Sequence, residues 1–175
     1  MPLRERFSTA NKLRLLSTNV HELIDLPYSH QIEEGYCLPA CAQMALAYLG
    51  ASRSQHELAH LLGVQRYVGA PASNLLRLRS STIDVFFGVE AELEIIRQWL
   101  AHRFPVVVFV QTNQLTYWGG ETAQHAVLVV GLVDRLVYVV DPAQSEVVIA
   151  VPIEEFWLAW NEMGLMFGVI APRSA

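Results

Sequence analysis

The chain has 175 residues, 53% hydrophobic and 17% charged, which suits one domain with a sizeable core and excludes an intrinsically disordered chain. A formal net charge of -5 without a basic block argues against a nucleic-acid partner. Only two cysteines, no secretory apolar segment, and apolar runs as short as 104–110 and 126–133 predict free thiols, a cytoplasmic setting and no membrane span.

Residues 1–30 show no strong period; LRLL (13–16) and LIDLP (23–27) read as short strands or as an arm packed on the domain, the arm spanning 1–25. The stretch 31–50, QIEEGYCLPACAQMALAYLG, then turns apolar, and from 38 to 49 the one clearly polar side chain is Gln43. That pattern predicts a helix buried nearly all round. Pro39 suits its first turn and Gly50 its stop. Ser54 predicts the cap of a second helix, SQHELAHLLG, ending at Gly63. Residues 64–72 read as a loop, 73–79 as a helical segment and 83–89 as a strand. Residues 91–102, with Leu93, Ile96 and Leu100 at helical spacing, predict an amphipathic helix.

The pattern then changes to β. FPVVVFVQ (104–111) predicts a buried strand, and 113–124, with Trp118 and the Gly119-Gly120 pair, a mobile-looking loop. AVLVVGLV (126–133) and LVYVV (136–140) flank Asp134-Arg135 as a hairpin. A further strand is expected at 145–151, a helix opening at Pro152, and a closing strand at 165–172. Helices first and an antiparallel sheet second give the class α+β in one domain, with neither linker nor internal repeat.

Chemistry is suggested first by Cys37, at or just before the N-terminus of the buried helix. Free N–H groups and the positive end of the helix dipole favour a thiolate there. A cysteine nucleophile needs an imidazole, and the imidazole a third group that orients it. His125 opens the first hairpin strand and Asp141 follows the second, so strand pairing predicts that they face each other. Gln31, six residues before Cys37, offers a side-chain amide that could share an oxyanion site with the backbone N–H of Cys37. Taken singly, each residue also has a structural reading: a small buried thiol, a strand-end histidine, an Asp-Pro turn, a solvated loop glutamine.

Gln31, Cys37, Ala40, Cys41, Met44, Tyr48 and Gly50 together resemble the peptidase domain of bacteriocin-exporting ABC transporters, cysteine peptidases that cut after a double-glycine leader. The resemblance continues through the histidine of HAVLVVG, the VVDP about sixteen residues later and the helix EEFWLAW. It implies a papain-like fold with Cys37 as nucleophile, His125 as base, Asp141 as orienter and Gln31 as oxyanion donor. The chain departs from the family at Leu38, where glycine usually follows the nucleophile, and at Tyr36, where an acidic or amide residue usually precedes it. Leu38 is expected to narrow or reshape the S1 region. Cys41 reads as a buried small residue, since a disulfide to Cys37 within one helix would be strained.

A competing motif is His56-Glu57-Leu58-Ala59-His60, which with Gly63 matches HExxHxxG of zinc peptidases. Its third ligand position is Arg66, and with Leu58, Leu61 and Leu62 buried the two histidines would face solvent. The expectation is therefore a cysteine peptidase that needs no metal or cofactor, acting on a peptide or protein substrate such as a leader or propeptide. Any export or maturation partner would be a separate one, because the transporter's membrane and ATPase domains are not in this sequence. The alternatives are a non-catalytic peptide-binding module of the same fold, an acyl transferase or deamidase using the same residues, and a zinc peptidase built on His56 and His60.

Overall fold

Helix α1 (Cys37–Tyr48) forms where the apolar run begins, with Pro39 in its first turn and Gly50 at φ +80° just beyond its end. Eight of its residues, Leu38 to Leu46 with Gln43 excepted, are buried. This is the structure seen in a computed structural model, which describes residues 23–174. The expected LRLL element and most of the expected arm lie outside the described residues. Within LIDLP no strand forms, but Ile24 and Leu26 are buried and the Ile24 N–H donates to the Val130 carbonyl at 2.9 Å.

Helix α2 (Gln55–Leu62) starts at a capping box: the Ser54 hydroxyl accepts from the Glu57 N–H while the Glu57 carboxylate accepts from the Ser54 N–H. These two reciprocal bonds satisfy otherwise orphaned groups, and Gly63 at φ +66° terminates the helix. Leu61, expected inside, is 44% exposed; Leu58, Ala59 and Leu62 alone carry the buried face together with Gln55. A 3-10 segment (Ala72–Leu78) follows.

The sheet then builds up from β1 (Ile83–Gly88), β2 (Val106–Gln111), β3 (Gln124–Val133), β4 (Leu136–Val140), β5 (Ile149–Pro152) and β6 (Phe167–Pro172), in the spatial order β1-β6-β2-β3-β4-β5. Every neighbouring pair is antiparallel. The strand expected at 145–151 is confined to β5. Helices α3 (Leu93–Ala101) and α4 (Ile153–Asn161) complete the described elements.

The two faces of the sheet are both covered, which explains why β2 and β3 read as unbroken apolar runs instead of alternating. Val107, Phe109, Leu128 and Val130 pack with Leu38, Met44, Leu58 and Leu62 of α1 and α2. Val106, Val108, Val110, Val127 and Val129 pack with Ile96, Phe156 and Trp160 of α3 and α4. The α+β class expected from the order of elements is therefore what forms.

One irregularity matters for the site. The β3–β4 hairpin pairs Val133 with Leu136 around Asp134-Arg135, Asp134 sitting at φ +52° as a two-residue turn requires. The register then shifts between Val129 and Gly131, so that Val129 faces Val139 and Leu128 faces Val140. Val130 is the extra residue of a β-bulge, and its carbonyl is the one taken by Ile24.

Candidate active site

Cys37 is the first residue of α1, and the helix start there is bare. Tyr36 at the N-cap provides no side-chain hydrogen bond, and no acidic residue lies in the first turn. In α2, by contrast, Ser54 and Glu57 occupy the equivalent groups. The unspent N–H groups and dipole of α1 are thus left for whatever negative charge arises at Cys37. Immediately upstream, Gly35 adopts φ +85° with its Cα side so close to the 65–69 turn that a Cβ would stand 3.0 Å from the Gly69 nitrogen.

His125 enters from the start of β3 and is buried; its Nε2 lies 2.7 Å from Asp141 Oδ1. The other ring nitrogen, Nδ1, is thereby left to serve Cys37, the thiol with which His125 interacts. Strand pairing suggested that His125 and Asp141 would stand directly opposite each other, and they do not. Continuing the register past β4 sets Asp141 opposite Val127, two residues from His125 on the same face, so the contact is diagonal. The bulge at Val130 decides this: without its one-residue shift Asp141 would fall opposite Leu128, and its side chain would point to the other face.

Asp141 is wholly buried and accepts from four donors. Oδ1 takes His125 Nε2 and the Ala143 N–H at 2.8 Å; Oδ2 takes the Tyr117 hydroxyl at 2.9 Å and Trp118 Nε1 at 3.0 Å. A carboxylate so saturated stays ionised: burial works against the charge, but the hydrogen bond and charge of His125 and the other donors hold its pKa below the usual value. Trp118 also sets its ring edge-on to His125, centroids 5.0 Å apart.

Neither Tyr117 nor Trp118 is expected at the site from sequence, where 113–124 reads as a mobile loop containing Trp118. The loop is instead two 3-10 turns, Thr112–Gln114 and Thr116–Trp118, tied down by buried Thr112 and by Glu155 of α4. The Thr112 hydroxyl donates to the Glu121 carbonyl at 2.6 Å, and the Glu155 carboxylate accepts from the N–H and hydroxyl of Thr116 at 2.6 and 2.9 Å. Two adjacent aromatic residues in an otherwise polar loop were the signal available.

The electrostatics of the pair follow from these contacts. Burial alone would raise the Cys37 thiol; the hydrogen bond and positive charge of His125, with backbone groups of Ala126 and Leu38, bring it below its ordinary value. Burial alone would lower His125, but Asp141 and Cys37 push it up to about 9. The arrangement favours a thiolate–imidazolium pair. Cys41, fully buried one turn deeper with Sγ 3.4 Å from the Ala126 carbonyl, is pushed well up by burial and by the neighbouring Cys37 and Asp141 charges. Both thiols are free.

Gln31 is joined to the same cluster through its backbone, its N–H donating to the Pro142 carbonyl at 2.8 Å, next to Asp141. Its side-chain amide is nearly uncommitted: Nε2 reaches only the Glu33 carbonyl at 3.4 Å, and Oε1 is buried without a partner. Beside Cys37 and His125 opens a cleft of about 490 Å³ whose walls include Leu38, Val68, Phe87, Val89, Phe109, Met163 and Met166. Leu38 lines it while being 2% exposed, most of its side chain belonging to the core under α1.

The HELAH helix holds no comparable constellation. His56 and His60 are exposed, Glu57 is spent on the cap of its own helix, and the His56 ring packs edge-on against Tyr36 at 5.9 Å.

A helix whose N-terminus carries a cysteine, packed against an antiparallel sheet that supplies a His–Asp pair, is a papain-like cysteine-peptidase fold. The chain belongs to the Peptidase_C39 like family, which it matches over residues 23–166. Solved structures that share the fold include three peptidases. One is a C39-like peptidase from Bacillus anthracis, 18% identical with TM-score 0.68, covering 87% of this chain and 98% of that one. Another is a double glycine motif protease from an AMS/PCAT transporter in complex with the leader peptide, 21% identical with TM-score 0.67, covering 88% and 96%. The third is the peptidase domain of Streptococcus ComA, a bifunctional ABC transporter of a quorum-sensing pathway, 20% identical with TM-score 0.68, covering 86% and 99%. No curated protein matches the chain. Among the described residues no helix is long and apolar enough to cross a membrane.

Proposed function

We propose that this protein is a cysteine peptidase that cuts a peptide after a double-glycine junction through an acyl-enzyme on Cys37. The observation that carries the reading is the Asp141–His125 hydrogen bond beside a cysteine at an uncapped helix N-terminus, whose thiol His125 draws below its ordinary pKa. In the first step the Cys37 thiolate attacks the scissile carbonyl carbon, and the oxygen becomes an oxyanion held by the Cys37 N–H and the Gln31 amide. The adduct collapses to a thioester as His125 gives its proton to the departing amine. His125 then takes a proton from water, the hydroxide attacks the thioester, and collapse expels the Cys37 thiolate, restoring the thiolate–imidazolium pair as the acid product leaves and ionises. Asp141, anchored by Tyr117, Trp118 and Ala143, keeps the imidazole in one orientation and stabilises its cation.

The apolar cleft walls of Val68, Phe87, Val89, Phe109, Met163 and Met166 suit a substrate with apolar side chains near the scissile bond. The relative bound to a leader peptide makes a leader or propeptide the fitting substrate class. The test is incubation with synthetic peptides carrying apolar residues upstream of a Gly-Gly junction, with products identified by mass spectrometry. Cleavage after the second glycine is expected, abolished by Cys37→Ala and by iodoacetamide and unaffected by a chelator. Cleavage that survives Cys37→Ala, or that is lost in His56→Ala, would overturn the proposal. Transfer of the peptide to an added amine in preference to water would make the enzyme an acyl transferase instead.

A further inference from the structure

The least expected side chain in the core beneath Gln31 is Gln55, 3% exposed at the first position of α2. Its amide faces away from its own helix and brackets one residue of another segment. Nε2 donates to the His30 carbonyl at 2.8 Å, and Oε1 accepts from the Ile32 N–H at 3.1 Å. Both peptide groups flanking Gln31 are thereby bonded to a single side chain, as a neighbouring strand would bond them. The Gln31 N–H is bonded separately, to the Pro142 carbonyl. The backbone of Gln31 is thus held by Gln55 and by the loop that carries Asp141.

The amide is itself held. Gln55 Nε2 also reaches Gln43 Oε1 at 3.1 Å and Ser29 Oγ at 3.2 Å, the Ser29 hydroxyl donates to Gln43 Oε1 at 2.7 Å, and Gln43 Nε2 donates to the Arg53 carbonyl at 2.9 Å. Gln43 is the polar interruption in the apolar run of α1. A buried polar network of this kind is stabilising only when its members are satisfied, and it then defines one geometry.

We infer that Gln55 is a positioning residue for Gln31: it fixes the backbone on either side of Gln31 so that the side-chain amide is presented to the oxyanion without reorganisation. This rests on the peptidase reading above, in which Gln31 is the oxyanion donor. Donors of this kind act through placement, and a displacement of about 1 Å can cost about 10²-fold in rate.

The test uses Gln55→Glu. A carboxylate at the first turn of α2 is favoured by the helix dipole, which offsets part of the cost of burying its charge. It can still accept from Ile32, but it cannot donate to His30 and sets negative charge against Gln43 Oε1. Gln55→Met serves as the uncharged counterpart. Two quantities are read: kcat and KM on a Gly-Gly peptide, and the inhibition constant of the same peptide ending in glycine aldehyde. The hemithioacetal oxygen formed on Cys37 by that aldehyde occupies the oxyanion site.

Both variants are expected to lower kcat by about ten- to a hundredfold with KM unchanged, and to weaken the aldehyde by a similar factor. Both variants should melt below wild type but still unfold cooperatively, since each leaves buried polar groups unpaired; iodoacetamide alkylation of Cys37 should match wild type, and adding Gln55→Glu to Gln31→Ala should lower kcat no further. Unchanged kcat and aldehyde affinity in the Gln55 variants, or effects that add fully to Gln31→Ala, would overturn the inference. A Gln31→Ala protein as active as wild type would instead remove the oxyanion role of Gln31, and positioning through it. Wild-type protein that neither cleaves the peptide nor takes up the aldehyde would overturn the peptidase reading itself.

Discussion

Replacing Asp141 with Asn exchanges one carboxylate oxygen for an NH2 in the middle of a fully assigned set of donors. Each carboxylate oxygen accepts two hydrogen bonds, Oδ1 from His125 and Ala143, Oδ2 from Tyr117 and Trp118. Asparagine can place its oxygen at only one of these positions, and its NH2 must then meet donors at the other. If the NH2 lies toward Tyr117 and Trp118, the tyrosine hydroxyl can rotate to accept, but the indole N–H cannot. If it lies toward His125, the Ala143 N–H is left unmatched and the imidazole must accept through Nε2. Its proton then moves to Nδ1, the nitrogen that serves Cys37, and the tautomer is wrong for a base. Hydrogen bonds to a charged group contribute about 1.5–3 kcal/mol each. Losing one or two, offset in part by no longer burying a charge, should destabilise the protein by about 2–4 kcal/mol. The effect on chemistry should be larger, since the same change in a Ser-His-Asp triad lowers kcat by about 10⁴-fold. The assay is kcat and KM on a Gly-Gly peptide, with thermal unfolding and an NMR titration of His125 alongside. The His125 pKa should fall well below about 9, because Asp141 supplies much of what raises it. A variant with kcat within tenfold of wild type and an unmoved His125 would refute the reasoning.

The thiols should separate sharply on alkylation: Cys37, with its pKa lowered, reacts with iodoacetamide far faster than Cys41, and equal labelling on peptide mapping would count against the ion pair. Activity should fall above about pH 9 as His125 loses its proton; because its folded pKa is raised, the stability it contributes is complete below its unfolded value near 6.5 and is lost as pH rises through about 9, which pH-dependent melting will check. Trp118→Phe keeps the ring against His125 but removes one donor to Asp141, so kcat should drop by about tenfold, the worth of a single hydrogen bond to a charged group, with KM unchanged. A Gly35→Ala protein should melt earlier, by a loss of about 1–2 kcal/mol for a side chain in the left-handed region, compounded by its approach to Gly69.

Much of this protein is written in runs of consecutive residues, where local physics is enough to read it. The apolar run with Pro39 and Gly50 delimits α1 to within a residue, and Ser54, Glu57 and Gly63 mark both ends of α2, because caps and stops act within one turn. Asp134-Arg135 marks the hairpin, and Cys37, His125 and Asp141 are recognisable by type and order. What the tertiary structure alone decided is how distant residues face one another. Val130 looks like any other valine in β3, yet as the bulged residue it shifts the register by one and turns Asp141 onto the face of His125. Its carbonyl is taken by Ile24, more than a hundred residues earlier in the chain. Tyr117 and Trp118 find Asp141 across 24 and 23 residues of chain, and Gln55 finds the backbone at 30 and 32 from another helix. Nothing within a local window distinguishes these residues, since a hydrogen bond across the fold is specified by the packing of both partners' elements. The elements are local statements; the placement of the side chains that surround Cys37 is a property of the assembled sheet and helices.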